Sequence, residues 1–283
     1  MKRIVVCDSG LGGLNIAARF FSGRAASDAP PCEIVYFNAF PAQNKGFNNL
    51  GSDREREEVL RDAFEGMGRF SPDLCLIACN TLSIVWERLK AWYAPAFPVT
   101  GIVEAAVDGM AGALRREPES SLLILGTKST VASGMYPARL AAAGIAPGRI
   151  RSLGAPGLAT LLESDAASSE VRARIDDCAA RAEALFERRP PRLLLGLCCT
   201  HFGFAAPLWL DLFGRRFGDV ALVNPNDLLG ADFAARAFSY HSRIDFFPGA
   251  REHMSAYFEA SAPQIAAALR AARPEPGLFD FNG

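Results

Sequence analysis

Short apolar runs alternate with longer stretches of helical periodicity almost from end to end of this 283-residue chain. The runs at 3–6, 33–37, 74–78, 99–103, 121–125, 149–153, 193–197, 220–223 and 244–247 are rich in aliphatic, β-branched or aromatic residues and are mostly bounded by Gly, Asp, Asn or Pro. Continuous apolarity fits strands covered on both faces, so these segments are expected strands of largely parallel sheets. Helices are expected between them. The stretch 52–70 opens on Ser52-Asp53-Arg54-Glu55, a capping-box pattern with Glu three residues after Ser. The stretch 171–188 carries apolar residues at helical spacing and ends among arginines just before Pro190-Pro191. Strand–helix alternation of this length predicts an α/β fold.

No long linker divides the chain, but a weak internal echo does. One expected strand runs into Ala78-Cys79-Asn80-Thr81, and a later one into Cys198-Cys199-Thr200-His201. Each presents a thiol and a hydroxyl where a helix should follow. In parallel α/β sheets, ligands bind beyond the carboxyl ends of the strands, where these residues lie.

Composition narrows the reading by exclusion. A net charge of −1, with acidic and basic residues interleaved, offers no basic face for nucleic acid. No apolar run approaches the ~20 residues of a membrane-spanning helix. The opening Met1-Lys2-Arg3-Ile4-Val5-Val6 passes straight into a polar turn, unlike a signal peptide. A cytoplasmic protein is the default expectation. The seven cysteines are an odd number without scaffold spacing, and are expected as thiols. Cys198, Cys199 and His201 are potential metal donors, but adjacent residues rarely turn both thiols to one ion, and no metal site is expected. Gly10-Leu11-Gly12-Gly13 has the wrong spacing for a dinucleotide fingerprint and suits a tight turn with close backbone approach to a small anion.

Four blocks carry a resemblance. Cys7-Asp8-Ser9-Gly10-Leu11-Gly12-Gly13-Leu14, Cys79-Asn80-Thr81, Gly126-Thr127-Lys128-Ser129-Thr130 with Ser133-Gly134-Met135-Tyr136, and Cys199-Thr200-His201 resemble, in order, the signature blocks of the glutamate racemases. These belong to the aspartate/glutamate racemase superfamily, and the resemblance covers roughly residues 3–250. It implies two pseudo-symmetric α/β lobes, each a mainly parallel sheet flanked by helices, with the active site in the cleft between them. The expected lobes are 1–98 plus 211–283, and 99–210. It further implies cofactor-independent racemisation by Cys79 and Cys199, with Asp8 and His201 as their polar assistants. D-Glutamate for the cell wall is the corresponding product. A homodimer is one assembly left open, since one sequence does not fix oligomeric state.

Elementary chemistry supports the same residues. Racemisation removes a proton from one face of Cα and delivers one to the other, so two acid–base groups flanking the substrate are the natural solution. A thiol, with an unperturbed pKa of ~8.5, reaches both protonation states near neutrality. Helix N-termini after Cys79 and Cys199 would favour the anions. Asp8 also suits an ordinary N-cap or Asx turn, and His201 an ordinary structural role. Ser9, Asn80, Thr81, Thr130 and Thr200 are short polar groups suited to carboxylate oxygens, and equally to capping helices. Cys7, Cys32, Cys75, Cys178 and Cys198 are expected to be bystanders.

The chain departs from the family pattern at one loop. Where glutamate racemases follow Tyr-Phe with Gly-Asp or Ser-Asp and then Pro-Tyr-Gly, this chain has Asn38-Ala39-Phe40-Pro41-Ala42-Gln43-Asn44-Lys45-Gly46. Gly46 and Lys45 are candidate substrate contacts, and Lys45 equally suits solvent. Phe202-Gly203 and Asn224-Pro225 also depart. Two other readings therefore stand beside glutamate racemisation. One is a superfamily racemase or isomerase acting on another acidic or amino-acid substrate; the other is a non-catalytic module binding a metabolite or partner. Dependence on one cysteine rather than both would mark an isomerase, and unchanged affinity after Cys→Ser at both positions would mark a binding module.

Overall fold

Every expected strand except the last is present in the computed structural model, which describes residues 1–22, 29–229 and 233–281. The chain folds into two compact units, residues 1–102 with 229–283, and 103–228. The boundaries differ from the expected lobes, above all at the second crossing. The segment 211–228 stays with the second unit because its strand, Val220–Val223, pairs with the strand leading to Cys199.

The first unit contains strands β1 (Lys2–Asp8), β2 (Pro31–Asn38), β3 (Leu74–Ile77) and β4 (Val99–Gly101), with helices α1 (Leu14–Arg19), α2 (Asp53–Gly68) and α3 (Asn80–Leu89). The second begins within helix α4 (Ile102–Arg116). It holds β5 (Ser121–Gly126), β6 (Ile150–Gly154), β7 (Leu193–Cys198) and β8 (Val220–Val223). Its further helices are α5 (Lys128–Ala132), α6 (Met135–Ala142), α7 (Leu158–Asp165), α8 (Ser169–Glu183) and α9 (Ala206–Phe217). The chain then returns to the first unit as β9 (Ala234–Ser242), α10 (Ala250–Phe258) and α11 (Pro263–Ala271).

The two sheets repeat one topology. The first has the order β4-β3-β1-β2-β9 and the second β6-β5-β7-β8, and all pairings are parallel. With β9 set aside, the first sheet read from its other edge is β2-β1-β3-β4, the same winding as β6-β5-β7-β8. In each, the chain reverses its direction of travel between the first and third strands. That reversal opens a crevice beyond the carboxyl ends of β1 and β3, and another beyond β5 and β7.

One expected strand is a correction. Residues 244–247 are not a strand, and β9 lies just before them, its Tyr36↔Tyr240 register beside β2 placing two aromatic rings in a 5.7 Å stack. The run 244–247, Ile-Asp-Phe-Phe, is interrupted by Asp245 and stops at Pro248, and Ser242 Oγ and the Asp245 carboxylate instead bind backbone N–H groups of this stretch.

One face of the first sheet buries Val5, Cys7, Val35, Phe37, Cys75 and Ile77 against Leu60, Phe64 and Met67 of α2 and Leu82, Val85 and Leu89 of α3. The expected cap of α2 is present: Ser52 Oγ accepts from Glu55 N at 3.1 Å, and Glu55 Oε2 reaches back to Gly51 N at 2.6 Å. Ser52→Ala is expected to lower stability by about 1 kcal/mol, read as a reduced urea midpoint at unchanged slope.

Candidate active site

The first crevice is lined from the turn after β1 and the end of β3. Asp8 closes β1 and is fully buried. The following turn is held by Tyr36, whose hydroxyl donates to Gly10 O at 2.8 Å. Gly13 explains part of the glycine cluster: a Cβ there would lie 2.9 Å from Asp8 Oδ2 and 3.0 Å from Ala78 Cβ. The Asp8 carboxylate thus packs next to the residue preceding Cys79. Gly13 has an ordinary helical φ of −65°, so close approach rather than a special turn requires glycine there.

Cys79 is the N-cap of α3. Its Sγ accepts from Leu82 N at 3.5 Å and lies 3.3 Å from Ser9 Oγ. The ten-residue α3 directs its positive end at this sulfur, as expected from sequence. Asn80 and Thr81 form the first turn of α3 and are buried. Cys7 lies beside this centre, where burial, with Cys75, Asp8 and Cys79 nearby, pushes its thiol well above the ordinary range. It fills the core as expected, as does Cys75 against Met67.

The divergent loop is built into the same unit. Asn38 Oδ1 accepts from Phe40 N, while its amide approaches Tyr240 Oη and Ser242 Oγ at 3.2 and 3.3 Å. The Phe40 ring packs on Gly46, where a Cβ would meet it at 2.9 Å. Lys45 donates to Glu55 Oε1 at 2.7 Å, and its ammonium lies 5.8 Å from the centre of the Phe281 ring. Its charge is thus met by the capping carboxylate of α2, which Lys45 and Gly51 together hold below its usual range. Both are partly exposed, so the pair contributes little to stability.

The second crevice holds a chain of three groups. Cys199 follows β7 directly, and its Sγ lies 3.8 Å from His201 Nδ1. On the far side of the ring, His201 Nε2 lies 2.5 Å from Glu163 Oε1. Histidine and glutamate are both buried. Burial works against charge on the imidazole, but Glu163 and Cys199 outweigh it and hold His201 well above its ordinary value. As imidazolium it donates from both nitrogens, one toward Glu163 and one toward the Cys199 sulfur.

Glu163 was not among the residues expected from sequence. It lies on α7, 38 residues before its partner, with no local motif to distinguish it from any helical acid. A second difference concerns the helix expected after Cys199. The chain makes a 3₁₀ segment, Thr200–Ala205, before α9 begins, and the Cys199 side chain caps nothing. Pro207, in the first turn of α9, donates no hydrogen bond and suits only the start of a helix. The polar group beside the Cys199 sulfur is therefore His201 rather than a helix terminus.

Thr130 and Thr200 complete this edge. Thr127 caps α5 by accepting from Thr130 N, and its hydroxyl donates to Thr130 Oγ1, both at 3.1 Å. Gly126 leaves room for this turn, since a Cβ there would lie 3.0 Å from Thr130 Cγ2 and 3.3 Å from Cys198 O. Thr200 is buried at the start of the 3₁₀ segment. Cys198 is buried, with Tyr136 hydrogen-bonded to it, and burial raises its thiol far above the ordinary range. The Phe202 that departs from the family pattern is buried against Trp209, whose Nε1 donates to Phe202 O at 3.1 Å. No group of three or more His, Cys, Asp and Glu among the described residues is arranged to hold a metal.

Comparison with known proteins now decides the family. The model for the Asp/Glu/Hydantoin racemase family matches residues 17–206. The chain belongs to this family. It is similar to the glutamate racemase of Campylobacter jejuni, with 27% identity over 232 residues, covering 80% of this chain and 82% of that protein. Among solved structures it resembles glutamate racemase from Campylobacter jejuni subsp. jejuni, with a TM-score of 0.65 at 22% identity over 96% of this chain and 99% of that one. It also resembles the Francisella tularensis glutamate racemase in complex with D-glutamate, with a TM-score of 0.67 at 17% identity over 92% and 94% of the two chains. At these identities the structural likeness establishes the fold, and it agrees with the racemase family assignment. Two parallel sheets flanked by helices are common ground, as the sequence implied.

Proposed function

We propose that this chain is a cofactor-independent glutamate racemase in which Cys79 and Cys199 act on opposite faces of the substrate α-carbon. One sulfur, as thiolate, takes the α-proton, and the other, as thiol, delivers its own proton to the opposite face. The sulfurs end with their protonation states exchanged, which sets the enzyme for the reverse reaction, and proton exchange with water returns them to the starting states for another turnover of the same enantiomer. The observation that supports this most directly is the repeated winding, with a thiol at the carboxyl end of the third strand in each unit and polar assistance beside each.

In this reading Asp8 and His201 with Glu163 govern proton movement. Ser9, Asn80, Thr81, Thr130, Thr200 and the backbone at Gly46 bind the carboxylates and ammonium. Binding through Lys45 would require it to leave Glu55. A cytoplasmic location and a homodimeric state accompany this reading; no helix among the described residues is long and apolar enough to cross a membrane. Light scattering reads the assembly.

The substrate test is circular dichroism of L- and D-glutamate, both aspartates and a panel of other amino acids, incubated without added cofactor. Glutamate is expected to lose optical activity from both enantiomers. Inversion of another amino acid alone would move the substrate assignment to the divergent 38–46 loop. Absence of inversion across the panel would contradict the amino-acid reading.

A further inference from the structure

We infer that Asn226 is a positioning residue for the Cys199–His201 pair, acting through the carbonyl of Thr200. The catalytic part of this inference rests on the racemase reading above. Its structural part does not.

The chain leaving β8 runs Asn224-Pro225-Asn226-Asp227 and turns as a short 3₁₀ segment, Pro225–Leu228. The turn is built locally, with Asn226 N donating to Asn224 Oδ1 at 3.3 Å and Asp227 N to Asn224 O at 3.0 Å. It carries the Asn226 side chain inward, to 2% exposure. There Nδ2 donates to Thr200 O at 3.0 Å. A carbonyl only accepts, so the amide must present its NH₂ to Thr200, and the orientation is fixed by chemistry. The other end of the same amide, Oδ1, is buried and has no hydrogen-bond partner among the described residues. An apolar side chain would fill this place without that penalty. What the asparagine provides is the bond to Thr200.

That bond matters because Thr200 O belongs to the peptide plane leading into His201. The 3₁₀ segment it opens has no side-chain cap of its own. His201 is tethered at its far end by Glu163, and its near end depends on where this plane lies. The Cys199–His201 separation of 3.8 Å is already long for a hydrogen bond to sulfur, so a small drift of the backbone breaks it. The titratable groups facing this centre are His201 on the same segment, Glu163 from α7, Cys198 on β7 and, through Cys198, Tyr136 on α6.

The experiment is iodoacetamide labelling of the full chain across pH, followed by peptide mass spectrometry, with Cys79 as the reference in each sample. Asn226→Asp keeps the shape but loses the donor at neutral pH; Asn226→Ala loses it without adding charge and serves if the first variant folds poorly. The expected result is a Cys199 labelling midpoint displaced upward by about one pH unit with Cys79 unchanged. Racemisation is expected to fall about 10-fold in kcat with little change in KM. Asn226→Gln, which keeps an amide donor, is expected to restore part of the loss. A wild-type Cys199 midpoint in the folded variants, or an equal displacement at Cys79, overturns the inference. A displaced Cys199 midpoint without racemisation of any amino acid would leave the positioning role standing and the racemase reading refuted.

Discussion

Serine in place of either Cys79 or Cys199 lowers inversion of the substrate by about 10²–10⁴-fold in kcat/KM, the usual contribution of a positioned acid–base group. A serine hydroxyl is far weaker as an acid than a thiol, so it serves neither as the ready donor nor as the accessible base. The two variants are expected to fail to similar extents in both directions. The enantiomers have equal free energies in solution, so any loss of transition-state stabilisation lowers both directional kcat/KM values together. Folding is expected to survive, because serine keeps the size of the side chain and Cys79→Ser keeps an acceptor for Leu82 N. Polarimetry of each variant against wild type, with far-ultraviolet circular dichroism as the folding control, reads the result. Wild-type inversion by either folded variant would remove that thiol from the mechanism.

Glu163→Gln produces the second large effect. Glu163 is the first of the groups raising the His201 imidazole against its burial. Without that carboxylate the imidazole loses its largest raising influence, only Cys199 is left to oppose burial, and the ring is expected to release its proton at lower pH than in the wild type. A charge-assisted hydrogen bond is lost beside Cys199, and the expected cost is about 10–100-fold in kcat. The pH dependence of stability changes with it. In the wild type, His201 is raised above its unfolded value, so its stabilisation is complete below pH ~6.5 and is lost as pH rises through the folded value. In Glu163→Gln that contribution is reduced, and stability gains less on acidification. Urea midpoints at several pH values, with NMR titration of the His201 ring, measure both. An unchanged His201 titration would show that Glu163 does not hold the proton.

Much of the first unit was legible because local chemistry and tertiary packing agree there. The aliphatic runs of β1, β2 and β3 are buried, and the Ser52–Glu55 signal marks a real helix start. Cys79, followed by Asn80 and Thr81, falls on a strand end that does become a helix N-terminus. The sequence pattern failed where an element is stabilised by its neighbour rather than by its own residues. β9, Ala-Ala-Arg-Ala-Phe-Ser-Tyr-His-Ser, has no β-branched residue and is mostly half-buried, yet eight residues of β2 pair with it. The stretch 244–247 beside it, Ile-Asp-Phe-Phe, suggests a strand by its Ile and Phe residues but joins no sheet among the described residues. Glu163 and Asn226 were invisible for a different reason. A helical acid and a turn asparagine are ordinary until folding brings one to His201 and the other to Thr200 O. The Cys-Thr-His block could point to a site, but not to the groups that hold it.

The divergent loop shows how a departure from a family pattern can have a structural use. Asn38 ties the end of β2 to β9, Phe40 occupies the space over Gly46, and Lys45 pairs with the α2 cap. These contacts belong to the first unit's own packing and are compatible with an unchanged reaction. Whether they also alter substrate choice is decided by turnover across the amino-acid panel.

The central claim, that two thiols divide the work, is tested most directly by proton NMR of L-glutamate turnover in deuterated buffer at early times. If separate sulfurs remove and deliver the proton, newly formed D-glutamate carries deuterium at Cα while the remaining L-glutamate keeps its original hydrogen. If deuterium entered the L- and D-glutamate pools at the same initial rate, one base would be serving both faces, and the two-thiol account would be wrong.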